Sequence, residues 1–301
     1  MRKALRGAVE FALVASGLPA LGRQRRRGDT LVLAYHNVVP DGLEAFGDRS
    51  LHLPLARFRR QLAALGETHD VVGLEQLDSA PSSSRPRAAI TFDDAYAGAL
   101  LLGLPAVLEL GFPATIFVAP DLLGRDAMWW DLLATPAHGL DDGIRKHALE
   151  TLRGDHDAIM SWADAQGLPR RLPPPQARLG TLDELRAAAR QSGVSIGLHT
   201  WSHRNLARLD AAEATAEFER TREWLTANVG MPRPWLAYPY GHYADTTLTA
   251  ARAAGVTRAF RVDGGWTRTA LAEPLVTPRL NVPAGMSERG FVLRLSGVIA
   301  A

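Results

Sequence analysis

The sequence predicts an α/β protein, a mainly parallel sheet built from alternating strands and helices and closed toward a barrel. Three observations predict it. Short apolar, β-branched runs alternate with amphipathic stretches from residue 31 to residue 282. Roughly six to eight such units follow one another in one chain, which suits a barrel better than an open sheet. The chemistry-bearing residues His36, Asp93, Asp94, His199 and Tyr238-Pro239-Tyr240-Gly241 fall at the carboxyl ends of the expected strands, where barrels carry their functional groups.

Leu31 to Val38 reads as a buried strand with one histidine near its end, and Pro54 to Glu67 as a helix with Leu55, Phe58, Leu62 and Leu65 on one stripe. A strand from His69 to Leu74 and a Pro/Ser loop at 81–86 lead into Ala88–Phe92, an apolar run that climbs to the paired acids Asp93 and Asp94. Tyr96 to Leu110 is helical with a kink at Pro105, and Ala114 to Val118 is another buried strand. The alternation resumes with helix Leu182–Gln191, strand Val194–Leu198, helix Ala211–Asn228, strand Pro234–Ala237, helix Tyr243–Ala254, strand Val256–Phe260 and a late strand Leu275–Val282. Residues 121–180, with Met128-Trp129-Trp130-Asp131, a polar helical stretch at 142–166 and Pro173–Pro175, interrupt the rhythm and read as a mostly helical insertion over the mouth of the barrel.

The chain has 301 residues, 47% of them hydrophobic, enough for one large core or two modest ones. The absence of cysteine excludes disulfides, thiolate metal sites and cysteine nucleophiles, so any metal must be held by histidine and carboxylate, a donor set suited to zinc or a similar divalent ion. The net charge of +2 hides an asymmetry: residues 1–27 carry seven basic residues against Glu10 alone, leaving the body mildly acidic. That pattern does not suit nucleic-acid binding, where basic residues spread over one face. The apolar segment Phe11–Leu21 has the length of a signal h-region, but the cluster Arg23–Arg27 follows it instead of a small-residue cleavage pattern, and it is too short to span a bilayer. Residues 1–28 are expected to form a basic amphipathic leader lying on the anionic inner face of the cytoplasmic membrane. This places the protein in the cytoplasm, peripheral to that membrane, with residues 29–301 as the barrel; a core-docked or disordered terminus is the alternative.

Side chains alternate along a strand, so Asp93 and Asp94 should point different ways, free for different tasks, although an acidic helix cap reads equally well from this stretch alone. His199 and His203, four apart, can face the same side of a turn, and a carboxylate from another strand completes a three-ligand metal site. With Thr91-Phe92-Asp93-Asp94 upstream, His199-Thr200-Trp201-Ser202-His203 in the middle and Pro239-Tyr240-Gly241 downstream, the chain resembles the polysaccharide deacetylases, the NodB-homology carbohydrate esterases. The likeness covers roughly residues 29–282.

The resemblance implies a distorted (β/α) barrel, a divalent metal, zinc by preference, on Asp94, His199 and His203, and Asp93 as the base that takes a proton from the attacking water. It also implies the Tyr240 N–H as a donor to the oxyanion. The sequence departs from the family in three places: no histidine follows His242, Ala237 stands where an arginine usually precedes Pro-Tyr-Gly, and Ala95 replaces the glycine after Asp-Asp. A Tyr-Pro-Tyr-Gly subgroup shares these departures, and on that likeness His36 becomes the general acid and Arg279 the arginine that orients Asp93. A backbone-bonded buried histidine and a barrel-closing ion pair are the respective structural alternatives.

Trp129 and Trp130 offer faces that stack on sugar rings or simply pack, Trp201 walls an acetyl pocket or simply packs, and Tyr238 and Pro239 are expected to contact the substrate. His242 is expected at the rim; His52, His69, His138, His147 and His156 fit no motif. The expected activity is removal of N-acetyl groups from N-acetylhexosamine in a glycan or lipid-linked glycan precursor, in exopolysaccharide or surface-glycan synthesis. An O-acetyl esterase, a deformylase and an inactive metal-containing glycan-binding domain are the alternatives.

Overall fold

The computed structural model describes residues 2–81, 83–135, 139–268 and 271–300. Two helices, α1 (Arg2–Ala15) and α2 (Leu18–Arg25), precede strand β1 (Asp29–Tyr35), in which Leu31 to Ala34 are fully buried. The strand expected over Leu31–Val38 breaks at His36, and Asn37–Val39 (β2) pairs instead with His52–Pro54 (β3) in a small parallel sheet. Helix α3 (Leu55–Thr68) buries Phe58, Leu62 and Leu65 of the stripe its spacing predicts, with Leu55 half-buried. The strand expected from His69 to Leu74 is only β4 (Asp70–Val71) before a single 3₁₀ turn takes over.

Strand β5 (Arg87–Phe92) is buried along its whole length and ends one residue before Asp93. The helix expected from Tyr96 begins instead as a wide π turn, Ala99–Gly103, and tightens into α4 (Leu104–Leu108). The change falls at Pro105, which has no N–H for an i→i−4 bond. Strand β6 (Ala114–Val118) follows, then helices α5 (Trp129–Leu133), α6 (Asp142–Glu150) and α7 (His156–Ala165) in the insertion. The regular units α8 (Leu182–Ala189), β7 (Val194–Leu198), α9 (Ala211–Asn228), β8 (Trp235–Ala237), α10 (Asp245–Ala253) and β9 (Arg258–Phe260) come next. Reciprocal caps start α8 and α9: Thr181 with Glu184, and Asp210 with Glu213.

Strands β1, β5, β6, β7, β8 and β9 lie side by side in parallel, with β10 (Trp266–Arg268) antiparallel on the outer edge of β1. The late strand expected over Leu275–Val282 is broken: a 3₁₀ turn at Pro274–Val276 leads through Pro278 to the two-residue β11 (Leu280–Asn281). This broken segment closes the curl. Thr277 N–H donates to Ala259 and Arg279 N–H to Arg261 on the β9 side, and Val282 N–H donates to Ala34 of β1. Proline 278 interrupts the ladder at its middle, so the closure is irregular and the barrel distorted. Arg279 is thereby turned into the barrel interior, where its side chain is 0% exposed. The last helix, α11 (Glu288–Leu295), packs against α1 and α3.

Candidate active site

At the carboxyl end of the parallel strands lies a cavity of about 420 Å³ whose lining includes His36, Asp93, Asp94, His199, His203 and Tyr240. Asp93 and Asp94 follow directly on β5, and the left-handed backbone at Asp94 (φ 68°) sends the two side chains different ways. Asp93 turns into the barrel and is gripped by Arg279 through two parallel bonds, Nη1 to Oδ1 and Nη2 to Oδ2, both 2.7 Å. The same guanidinium donates to Thr91 Oγ1 at 3.0 Å and lies 5.3 Å from the Phe117 ring. Burial pushes the Asp93 carboxyl up, but Arg279 outweighs it and holds the group below its ordinary value. Asp93 is thus ionised and fixed.

Asp94 turns the other way. Its Oδ1 lies 3.3 Å from His199 Nε2 and 3.1 Å from His203 Nε2, all three residues are buried, and their ligand atoms fall within 4.8 Å of one another. Asp94 Oδ1 has no hydrogen-bond partner of good geometry. His199 donates Nδ1–H to Ala237 O at 2.8 Å, which fixes its tautomer and leaves the Nε2 lone pair facing Asp94. Burial alone would raise Asp94, yet the two imidazoles hold it well below the carboxylate range. Burial depresses His203; at His199 burial is outweighed by Asp94 and Asp93, and the group is raised. Two imidazole nitrogens and one carboxylate oxygen, buried, convergent and not spent on one another, fit a tetrahedral divalent metal with open positions toward the cavity.

The turn carrying these ligands is held from behind. Ser202 donates its N–H and hydroxyl to the two oxygens of Glu217 on α9, at 2.9 and 2.8 Å. Positive φ angles cluster here: Asp94 (68°), Ala95 (55°), Thr200 (65°), His203 (59°) and Tyr240 (59°), none of them glycine. Such left-handed backbone costs on the order of 1 kcal/mol per residue and marks a site whose geometry the surrounding packing imposes. The family's glycine after Asp-Asp is explained by this: Ala95 occupies a left-handed position.

Tyr240 sits in the Pro239–Gly241 turn at the end of β8, its ring 4.6 Å from that of His203. Among the described residues its N–H donates to no backbone carbonyl. Its phenol accepts from Trp129 Nε1 at 3.2 Å, and burial raises its pKa. His36, half-buried between β1 and β2, and His242 both line the cavity, the latter at the expected rim position.

The aromatic expectations need correction. Trp129 is buried in the core, not offered to a sugar. Trp130 is buried too; it contributes to the cavity wall while its ring packs 5.2 Å from His203 and its Nε1–H donates to Tyr96 at 3.0 Å. Trp201 is turned away, with the Arg220 guanidinium 3.9 Å from its ring and Trp224 beyond, and is not part of the lining. The φ of +65° at Thr200, immediately before it, accompanies this turn away from the cavity. Tyr238 is buried and donates its hydroxyl to Leu275 O at 2.8 Å, so its contribution to the wall is a constrained one; Pro239 is buried outside the lining.

Sequence reasoning missed several groups. Asp48, Ser50, Arg145, Val262 and Asn281 line the cavity, and Arg145 pairs with Asp48 across its mouth. Their signal was absent because they lie outside any motif: Asp48, Ser50 and Val262 on loops, Arg145 on the insertion and Asn281 on the short strand β11. His52, expected to be incidental, belongs to a buried network. Its Nε2 donates to Asp131 Oδ1 at 2.9 Å, its Nδ1 accepts from Asn37 at 3.1 Å, and Tyr96 donates to Asp131 Oδ2 at 3.0 Å. The Asp48 N–H also reaches Asp131 Oδ1, and Gly47 beside it is obligatory: a Cβ there would lie 2.2 Å from that oxygen. His69 is buried, and His138 lies outside the described residues.

The comparisons agree with this geometry. The family model described as polysaccharide deacetylase matches residues 80–259, more than half of the chain, and the chain belongs to that family. It is an enzyme of the carbohydrate-esterase type with the NodB-like barrel. Among solved structures it is similar to a deacetylase, PplD, from Streptococcus pyogenes in complex with acetate, with a TM-score of 0.61 at 18% identity over 89% of this chain and 98% of that one. It is also similar to IcaB from Ammonifex degensii (TM-score 0.62, 17% identity, 89% and 96% covered). A polysaccharide deacetylase from Bacillus cereus aligns with a TM-score of 0.63 at 17% identity over 89% and 69%. At these identities the likeness is one of fold. No curated protein sequence matches the chain. His36 and Arg279 lie outside the matched span, so their placement rests on the structure alone.

Proposed function

We propose that the protein is a metal-dependent N-deacetylase that removes acetyl groups from N-acetylhexosamine residues of a glycan during exopolysaccharide or surface-glycan synthesis. The observation that carries this reading is the adjacency of two differently used carboxylates: Asp94 facing two histidines, and Asp93 locked by Arg279 beside them. Asp94, His199 and His203 would hold a divalent cation, zinc by its donor set, which when bound supplies a Lewis acid for the amide carbonyl and acidifies water.

The remaining chemistry falls to this chain's own groups. Asp93 takes the proton of the attacking water; each carboxylate oxygen keeps a lone pair after the bidentate bond to Arg279. Arg279 orients that carboxylate and keeps it charged. The Tyr240 N–H donates to the oxygen that gains charge as water adds, a preorganised donor worth about 3 kcal/mol in comparable sites. His36 gives a proton to the nitrogen as the C–N bond breaks, releasing acetate and a free amine. Trp130 and Leu149 supply the apolar wall against which the acetyl methyl packs.

The test is acetate release from N-acetylglucosamine oligomers, with metal content measured on the same samples. The wild type should release acetate only when metal-loaded, and Asp93→Asn should keep its metal while kcat falls by about two to four orders of magnitude. Acetate release by Asp93→Asn at near-wild-type rates would remove Asp93 as the base.

A further inference from the structure

We propose that α1 and α2 form a docking surface for an anionic phospholipid bilayer. Helix α1 is built inside out. The face it turns toward α11 carries Glu10, which is buried, bonded to Arg6 Nε at 2.9 Å and to the Ser287 hydroxyl. The face it turns outward carries Leu5, Ala8, Val9 and Ala12, the i, i+3, i+4, i+7 spacing of one continuous stripe, all exposed. Leu5 is 68% exposed, Val9 50% and neighbouring Phe11 58%. On α2, Leu18 and Leu21 are exposed as well, 40% and 44%. A surface helix of a globular protein places its apolar stripe the other way round, and a contiguous exposed apolar surface marks a contact site.

Charge decides what covers it. Arg25 and Arg27 are exposed and Arg23 is half-buried, whereas the one acidic residue of the first 28, Glu10, is spent internally. A second copy of this chain would bring the same basic cluster against itself, and like charges facing one another are unfavourable. An anionic headgroup layer answers both properties: acyl boundary for the apolar stripe, phosphate for the arginines. Crossing the bilayer is not required. Helix α1 is 14 residues, about 21 Å, against a hydrocarbon core of about 30 Å. The two helices are bent by 68° at a break where Gly17 has φ 78°, and among the described residues no single helix is long and apolar enough to cross.

The experiment uses the full chain and vesicles of phosphatidylcholine with or without about 30% phosphatidylglycerol, read by co-sedimentation. Wild type should bind the anionic vesicles at least about tenfold more tightly than neutral ones, and added salt should weaken that binding. Leu5→Glu with Val9→Glu, at exposed positions that leave the melting curve unchanged, and Arg25→Glu with Arg27→Glu should each reduce it by about tenfold or more. Equal affinity for neutral vesicles, no binding to anionic ones, or indifference to both pairs of substitutions overturns the proposal. A wild-type dimer in sedimentation velocity that Leu5→Glu with Val9→Glu disperses would assign the face to a second copy and overturn it as well.

Discussion

Two buried carboxylates face histidines in this protein, and they use their oxygens in opposite ways. Asp131, whose side chain is 0% exposed, accepts from His52, Tyr96 and the Asp48 N–H, so both oxygens are engaged and His52 is fixed in turn by Asn37. Asp94 is as deeply buried, yet its Oδ1 faces two imidazole nitrogens without a satisfactory bond to either. A buried carboxylate oxygen 3.1 and 3.3 Å from two imidazole nitrogens, with no well-aligned hydrogen bond between them, leaves three convergent donor atoms that could hold a metal ion. The Asp131 cluster, whose carboxylate is fully engaged, is a brace. The Asp94 cluster has the donor set of a metal site, and Trp130, bonded to Tyr96 and packed on His203, joins the brace to it.

His52→Ala leaves the Asp131 charge buried with one partner fewer and should cost about 3 kcal/mol in urea denaturation while the folded protein still binds one metal ion per chain. Loss of metal from the folded variant would make the brace part of the ligand set. A buried histidine with no bond to a carboxylate sharpens the contrast. Burial holds His69 down to about 4, against about 6.5 unfolded, and Arg23 and Arg85 add to the depression. The unfolded chain therefore takes up a proton as pH falls below about 6.5 and the folded chain does not until about 4, so stability should decline across that window by about 3 kcal/mol. His69→Gln should flatten that decline in denaturant titrations at each pH; an equally steep profile would place the loss elsewhere. The smallest expected effect lies behind the ligands. Glu217→Ala frees the turn that carries His199 and His203 and should weaken metal affinity by about tenfold with little change in melting temperature.

The difference between the clusters also explains what could be read in the chain. Asp94, His199 and His203 were legible because family motifs hold them at strand ends and at a four-residue spacing. Arg279 was legible only as a substitute for the arginine absent at Ala237, and the barrel closure through Pro278 shows how it arrives beside Asp93. The brace was invisible: His52, Asp131, Tyr96 and Asn37 come from four segments, with no period or motif linking them. The tryptophans misled because a flat ring is equally suited to sugar and to core, and burial, which decides between them, is a tertiary property. The late strand Leu275–Val282 was read too long because Pro278 breaks its ladder, while the helix around Pro105 was expected to be kinked and opens as a π turn. The parallel strands from β5 to β9 were placed well because burial on both faces leaves continuous apolar runs.

The most direct test titrates zinc into metal-stripped wild type, Asp94→Asn and Asp131→Asn by calorimetry, with circular dichroism to establish that each is folded. Wild type and Asp131→Asn should each bind one ion per chain, and Asp94→Asn should bind none with comparable affinity. Full stoichiometry in Asp94→Asn, or its loss in folded Asp131→Asn, would contradict the division between a ligand site and a brace.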